Sequence, residues 1–207
     1  MADAHCEKRD AKPPVAGDAP MDALAQAAHA ATSRGLPPVH LWNPPYCGDI
    51  GLAITKDGAW WRHGSRITRM PLVRLFSTIL RKDEDGRHYL VTPVEKVDVT
   101  VEVAPFLAVR VDRREEAGGA RLRFTTNLGD VTEIGPDRPL RVETDPETLE
   151  PTPFVLVRGR LEALLTRPVY YELVDMAEER EADGEPVLGV ESGGVFFPLG
   201  PPGAHLT

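Results

Sequence analysis

The spacing of hydrophobic and polar residues predicts a chain rich in short strands. Hydrophobic side chains alternate with small or polar ones over residues 50–54, which is the period of a half-buried strand. Asp57 and Gly58 then favour a tight turn, because both tolerate a positive φ at little cost. Trp60 and Trp61 begin a second strand, so this stretch is predicted to form a hairpin.

A helix and further strands are predicted next. Hydrophobic residues three and four positions apart over 72–80 indicate an amphipathic helix, with Thr68 as its cap and Pro71 in its first turn. The turn at 83–86 leads to a strand over 89–92. Four valines then alternate with Asp98 and other polar residues over 97–103, which predicts a strand with one buried face and one solvent-facing face.

The second half reads as short strands separated by turns. A helical turn or two is predicted over 160–165, a strand over 169–176 and a closing hairpin that ends near residue 197. Residues 113–120 are predicted to form a charged loop. The remaining strands are predicted over 106–111, 121–125, 131–134, 140–143 and 154–158.

These elements predict an α+β fold with two small subdomains of mostly antiparallel, roll-like sheets, each with a short helix. An alanine-rich N-terminal helix over 21–35 precedes them, because alanine has the highest helix propensity. We predict a mobile tail over 1–20, a first subdomain over 36–100 and a second, β-rich subdomain over 101–202.

Composition and charge favour a cytoplasmic protein. The 207 residues include 42% hydrophobic and 27% charged side chains, and no apolar run approaches the roughly 20 residues that cross a bilayer. Cys6 and Cys47 are the two cysteines, too few for a disulfide framework. Most of the net charge of −8 comes from residues 113–207, which carry 10 basic and 18 acidic groups.

The segment over 40–49 is the best candidate for a ligand-binding wall. Two adjacent prolines force an extended path, and Trp42 and Tyr46 need a surface to cover them, so we expect the segment to be pinned onto the domain. The predicted ligand-binding residues are Trp42, Tyr46, Cys47, Asp49, Trp60 and Arg69. No motif for catalysis, metal binding or a cofactor is recognisable, and none of the three is predicted.

Several functional hypotheses stay open. The leading one is a non-enzymatic protein that binds a small molecule or a protein partner. A second is a small hydrolase or thiol enzyme centred on Cys47 and Asp49. A third is an anion or nucleic-acid binder that uses the basic cluster Arg62–Arg74, although the acidic chain disfavours nucleic acid. The oligomeric state is not predicted.

Several motifs in a fixed order resemble one known family. They are the runs at 37–50, 71–76, 90–96, 105–109 and 192–200. Together they resemble the bacterial domain-of-unknown-function family 1285 (DUF1285), over nearly all of residues 36–200. The resemblance implies two α+β subdomains with repeated structural motifs and a role in ligand sensing or signal transduction. It implies no catalytic residues.

Overall fold

The computed structural model describes residues 19–32, 35–116, 119–148, 150–182 and 185–200. The chain forms two compact units. The N-terminal unit ends at Glu102, and the C-terminal unit begins at Val103. Each unit combines strands with a short helix, so the predicted α+β class with two subdomains is confirmed.

The described part of the N-terminal unit contains two α-helices, a 3-10 helix and six strands. In chain order they are α1 (Ala19–Thr32), the 3-10 helix (Val39–Leu41), β1 (Tyr46–Ile54), β2 (Trp60–Arg62), β3 (Ser65–Arg66), α2 (Met70–Thr78), β4 (Leu80–Lys82), β5 (His88–Val91) and β6 (Lys96–Val101).

Two antiparallel meanders form a single sheet in this unit. The strand order is β3-β2-β1-β6-β5-β4, and β1 and β6 pair in parallel at its centre. Helix α2 packs against α1 and supplies Phe76, whose ring centroid lies 6.5 Å from that of the buried Trp60. Leu52 and Ile54 of β1 complete the core between the sheet and the helices.

The described part of the C-terminal unit contains nine strands and one helix. They are β7 (Phe106–Glu116), β8 (Gly119–Thr126), β9 (Val131–Glu133), β10 (Leu140–Thr144), β11 (Pro151–Arg158), β12 (Leu161–Leu165), α3 (Arg167–Asp175), β13 (Glu178–Ala182), β14 (Glu185–Ser192) and β15 (Val195–Gly200).

Six of these strands form a sheet of the order β10-β11-β12-β7-β8-β9, in which β12 and β7 pair in parallel. The last three strands form a separate antiparallel sheet. Ser192 joins the two sheets, because its buried hydroxyl donates to the Ile134 carbonyl oxygen at 2.8 Å and accepts from the Leu122 N–H at 2.9 Å. Ser192, the first residue of the run at 192–200, therefore has a structural role.

Three predicted elements of the C-terminal unit were wrong. Residues 161–165 form the strand β12 because they lie between β11 and β7, where burial overrides the helix propensity of leucine and alanine. Residues 169–175 are helical, since Pro168 fits the first helical turn and Val169, Tyr170 and Leu173 form one buried face. The charged stretch predicted as a loop instead extends β7 to Glu116 and begins β8 at Gly119.

Candidate functional site

The strand β1 is irregular where it passes the centre of the N-terminal sheet. Tyr46 is opposite Lys96, Asp49 is opposite Asp98, and Leu52 is opposite Val99. Strand β1 thus advances three residues in each interval while β6 advances two and then one. Such bulges redirect side chains and are frequent beside functional sites.

A tyrosine, an aspartate and an arginine meet at this irregular pairing. The Tyr46 hydroxyl donates a short hydrogen bond to Asp98 Oδ2, and Arg87 Nη2 lies 2.6 Å from Asp98 Oδ1. Asp98 is 8% exposed, whereas Tyr46 is 50% exposed. The Arg87 side chain is 57% exposed. The buried carboxylate therefore orients two side chains that face solvent, and we call these three residues the Tyr46 site.

The protonation states at the Tyr46 site follow from these contacts. The hydrogen bond to the Asp98 carboxylate, reinforced by burial, raises the pKa of Tyr46. The hydrogen bond with Tyr46 and the charge of Asp98 raise the pKa of Arg87. At neutral pH the site therefore presents a neutral phenol and a guanidinium cation. A phenol with a raised pKa is a poor general base, so these groups suit binding better than proton abstraction.

A second group of hydrogen-bonded and charged residues lies next to the Tyr46 site. The Tyr89 hydroxyl donates to Asp85 Oδ2 at 2.6 Å, and this bond, together with burial, raises the pKa of Tyr89 to about 12. The Tyr89 ring lies edge-on to the Tyr46 ring with centroids 6.4 Å apart. Lys96 Nζ lies 4.4 Å from the Tyr89 ring centroid and 3.1 Å from Asp83 Oδ2.

The segment before β1 is fastened to the sheet through its backbone. Arg81 Nη1 donates to the carbonyl oxygens of Val39 and Trp42 at 2.8 and 2.7 Å. The Lys96 N–H donates to the Pro45 carbonyl oxygen at 3.0 Å. Arg81 is itself held by Asp83 through hydrogen bonds of 2.5 and 3.1 Å. The segment with the two prolines is thus held against β4 and β6 and leads directly to Tyr46.

Four of the predicted site residues lie along this segment and the start of β1. Tyr46 belongs to the Tyr46 site, and the half-buried Trp42 lies in the fastened segment. Asp49 is exposed, and its Oδ1 accepts the Gly51 N–H at 2.7 Å. Cys47 is half-buried between them. The hypothesis of a thiol enzyme at Cys47 and Asp49 stays a prediction.

The other two predicted site residues lie elsewhere in the unit. Trp60 is a core residue, 1% exposed, and its indole N–H has no hydrogen-bond partner within the described residues. Its neighbour Trp61 is half-buried and donates from Nε1 to Thr55 Oγ1 at 3.2 Å. Arg69 is exposed at the N-cap of α2.

The sequence patterns missed Asp98 and Arg87. Alternation with valines predicts that Asp98 faces solvent, but the bulged β1 covers it with Tyr46. Arg87 follows an ordinary polar turn and carries no motif. The signal for Asp98 would have been the parallel pairing of β1 with β6, which brings Asp98 opposite Asp49. That pairing joins strands about 50 residues apart, so no local pattern reveals it.

A cavity in the C-terminal unit is less suited to a ligand. It has a volume of about 140 Å³, and it is lined by apolar residues of β8 and β14 and by four charged residues. Arg113 pairs with Glu115, and Arg180 pairs with Glu178 and Glu191. Its charges are thus already neutralised locally. In the part of the chain that the structure describes, no cluster of three or more His, Cys, Asp or Glu could hold a metal ion.

Family models match both units. Residues 37–104 match a model described as "Domain of unknown function (DUF1285), N-terminal domain". Residues 105–199 match one described as "Protein of unknown function (DUF1285), C-terminal domain". No curated protein matches the chain. None of the helices among the described residues is long and apolar enough to cross a membrane.

Two solved structures are similar to this chain. A DUF1285 family protein from Silicibacter pomeroyi DSS-3 is 47% identical, with a TM-score of 0.77 over 86% of this chain and 95% of that one. A DUF1285 family protein from Shewanella baltica OS155 is 26% identical, with a TM-score of 0.48 over 60% of this chain and 91% of that one.

Proposed function

The chain belongs to the DUF1285 family, and from this premise we propose that it is a non-enzymatic, cytoplasmic binding protein with a part in signal transduction. The Tyr46 site is the proposed point of contact with the ligand. The observation that supports this role is the exposed Tyr46, held in place by a buried Asp98 that it shares with an exposed Arg87.

The exposed groups favour a particular class of ligand. A guanidinium carries five N–H donors, and the solvent-facing donors of Arg87 can donate to both oxygens of a carboxylate in a bidentate pair. The exposed ring of Tyr46 offers an apolar surface next to that charge. We therefore propose a small molecule that combines a carboxylate with a flat apolar body.

The backbone contacts support a preorganised site. Arg81 and Lys96 hold the segment before Tyr46, so the ring does not need to be ordered when a ligand arrives. Preorganisation matters because each immobilised side chain otherwise costs about 0.5–1.5 kcal/mol of binding free energy. A signalling protein with such a site would report the concentration of its ligand through occupancy.

The test is a titration of the full chain with benzoate, by calorimetry and by thermal unfolding. Benzyl alcohol, which lacks the carboxylate, and inorganic phosphate, which lacks the ring, are the comparison probes. We expect benzoate to bind more tightly than either. Arg87→Ala and Tyr46→Ala should each weaken benzoate binding, whereas Arg110→Ala, which removes an exposed arginine paired with Asp112, should not.

Two outcomes would overturn the proposal. One is the absence of binding by benzoate and by every other aromatic carboxylate in a panel. The other is binding that Arg87→Ala and Tyr46→Ala leave unchanged. Native mass spectrometry of the purified chain adds an independent measurement, since a co-purifying aromatic acid should be lost in both variants.

A further inference from the structure

A second surface of the N-terminal unit lies around the start of α2. It consists of Arg66 on the edge strand β3, Arg69 at the N-cap of α2, and Met70 and Arg74 within α2. All three arginines are exposed, and Met70 is 46% exposed. Met70 and Arg74 are four residues apart, so they lie on the same side of the helix. We call these four residues the α2 arginine surface.

Two of the three arginines of this surface, Arg69 and Arg74, have no salt-bridge partner in the part of the chain that the structure describes. Arg81 and Arg87 each pair with an aspartate in the same unit. Arg66 is close enough to Asp57 for its charge to lower the pKa of that carboxyl, after the larger effect of hydrogen bonds from Thr55 and the Ala59 backbone. Arg69 and Arg74 thus give the surface positive charge that no described acidic side chain pairs with.

The helix itself increases this positive potential. The N-terminus of a helix carries a partial positive charge, so a cation there is unfavourable and an anion is favourable. Helix α2 has an arginine at its N-cap, no acidic residue in its first turn and no side-chain cap. By contrast, α1 has Asp22 in its first turn. An anionic group bound beside Arg69 would satisfy the helix terminus and the arginine together.

We propose that the α2 arginine surface binds an acidic segment of another protein, with carboxylates on Arg69 and Arg74 and an apolar side chain on Met70. Arginine and methionine are both enriched at protein interfaces. The net charge of −8 disfavours a polyphosphate, which would be repelled along its length. A short acidic segment avoids most of this repulsion, because salt screens charges beyond roughly 8 Å at physiological ionic strength.

Peptide selection against the immobilised full chain tests the proposal. A random peptide library should yield sequences in which Asp or Glu flank Leu, Met or Phe. The affinity of one labelled winner is then measured by fluorescence anisotropy. We expect the double variant R69E/R74E to weaken binding at least about tenfold, which corresponds to about 1.4 kcal/mol. The matched control R114E makes the same charge change on an exposed arginine of β7 and should bind like wild type.

A loss of binding caused by misfolding can be distinguished from the loss of a binding surface. Both arginines are exposed, and glutamate near a helix N-terminus is favourable. The thermal unfolding midpoint of R69E/R74E should therefore be at least as high as that of wild type. A normal unfolding midpoint with lost binding supports the proposal. The benzoate titration uses other residues, so the two proposals can fail independently.

Three results would overturn this assignment. The first is a set of winning peptides without acidic residues. The second is peptide binding that R69E/R74E does not weaken. The third is tighter, Arg69-dependent binding to duplex DNA, to vesicles containing phosphatidylglycerol or to a second copy of the chain, with self-association measured by analytical ultracentrifugation. Each of these would assign the surface to a different occupant or to none.

Discussion

The two six-stranded sheets described in this chain have the same strand order but different centres. In each, the first strand of one antiparallel meander pairs in parallel with the last strand of another: β1 with β6, and β7 with β12. The helices enter at different points. Helix α2 lies between the two meanders of the N-terminal unit, whereas α3 follows the last strand of the C-terminal sheet.

The central pairs differ in chemistry and in regularity. The C-terminal pair matches Ala163 with Phe106, and Leu164 and Leu165 with two further apolar residues, in continuous register. The N-terminal pair carries Asp49 opposite Asp98 between two irregularities. The C-terminal sheet therefore has the same topology as the N-terminal sheet without polar groups in its central pair. Because burying a carboxylate is costly unless it is paired, the polar centre is not required by the fold and favours a functional explanation.

The largest effect should come from the apolar centre. Phe106 is fully buried, with the Arg158 guanidinium 4.9 Å from its ring centroid. Phe106→Ala should lower the free energy of unfolding of the C-terminal unit by about 3–5 kcal/mol, through lost burial and a cavity. Tyr46→Ala at the other centre should cost less, since Tyr46 is half exposed. Chemical denaturation followed by hydrogen exchange and mass spectrometry measures each unit separately.

The control for this comparison is Val109→Ala, an exposed position on β7 that should change stability by less than about 0.5 kcal/mol. Equal losses for Phe106→Ala and Tyr46→Ala would mean that both centres are structural. The contrast between the units would then carry no functional meaning.

The second prediction asks whether the polar centre can be made apolar. Asp98→Asn should cost about 1–3 kcal/mol, because it weakens the bonds to Tyr46 and Arg87 and leaves buried polar atoms. The double change Asp98→Leu with Tyr46→Phe should cost less than Asp98→Asn, since a buried polar network can often be replaced by apolar residues of similar volume. Urea titration compares the variants.

A double variant that unfolds at a lower urea concentration than Asp98→Asn would contradict the interpretation that the polar centre serves function, because the carboxylate would then be needed for stability. Binding of benzoate gives the second readout. The double variant should fold but lose benzoate binding. If Asp98 and Tyr46 had only a structural role, the variant would lose both its fold and its binding.

The same contrast explains how far sequence reasoning could reach. The α+β class and the first hairpin follow from local alternation, since strand period and turn residues are read over a few positions. The segment 161–165 defeats local reasoning, because leucine and alanine favour a helix but the strand is sandwiched between β11 and β7. Pairing with a strand on each side therefore outweighs the local helix propensity of this segment.

Only part of the candidate site could be predicted from the sequence, for a related reason. Tyr46 stands out because two prolines and an aromatic cluster precede a strand. Asp98 and Arg87 come from β6 and from the turn before β5, and they meet Tyr46 through a parallel pairing that has no local signature. The bulges in β1 decide which way Tyr46 points, and a bulge is not legible from alternation alone.

The third prediction concerns the backbone that creates the bulge. Gly51 has a φ of +69°, and a Cβ there would lie 2.3 Å from His63 Nδ1. Gly51→Ala should therefore cost about 1–3 kcal/mol for the left-handed backbone, plus the cost of moving the His63 ring. The matched control is Gly48→Ala, where φ is +90° but no atom lies within 4 Å of the added carbon.

The difference between the two alanine variants isolates the contact with His63, and thermal unfolding of the full chain measures it. Gly51→Ala should be the less stable of the two and should weaken benzoate binding, because it shifts the strand that positions Tyr46. Equal stabilities would show that the His63 ring moves aside without cost.

The smallest effect should be the pH dependence of stability that Asp83 gives to the N-terminal unit. Burial alone raises the pKa of the Asp83 carboxyl, but hydrogen bonds from Arg81 and Lys96 outweigh it and place the pKa below its usual range. The folded pKa is thus lower than the unfolded one. The resulting stability is present above about pH 4 and is lost as the pH falls through the folded pKa.

Asp83→Asn should remove the part of this dependence that comes from Asp83 and destabilise the unit by less than about 1 kcal/mol at neutral pH, because the carboxylate is partly solvated. Asp112→Asn, at an exposed pair in the C-terminal unit, is the control for the change of group. Hydrogen exchange in β4 and the segment before β1 should rise below pH 4 in wild type, because protonated Asp83 releases Arg81 from its ion pair. A uniform rise in exchange across both units on acidification would instead mean that the total charge of the chain causes the effect. The ion pairs of Asp83 would then not stabilise the polar centre of the N-terminal sheet separately.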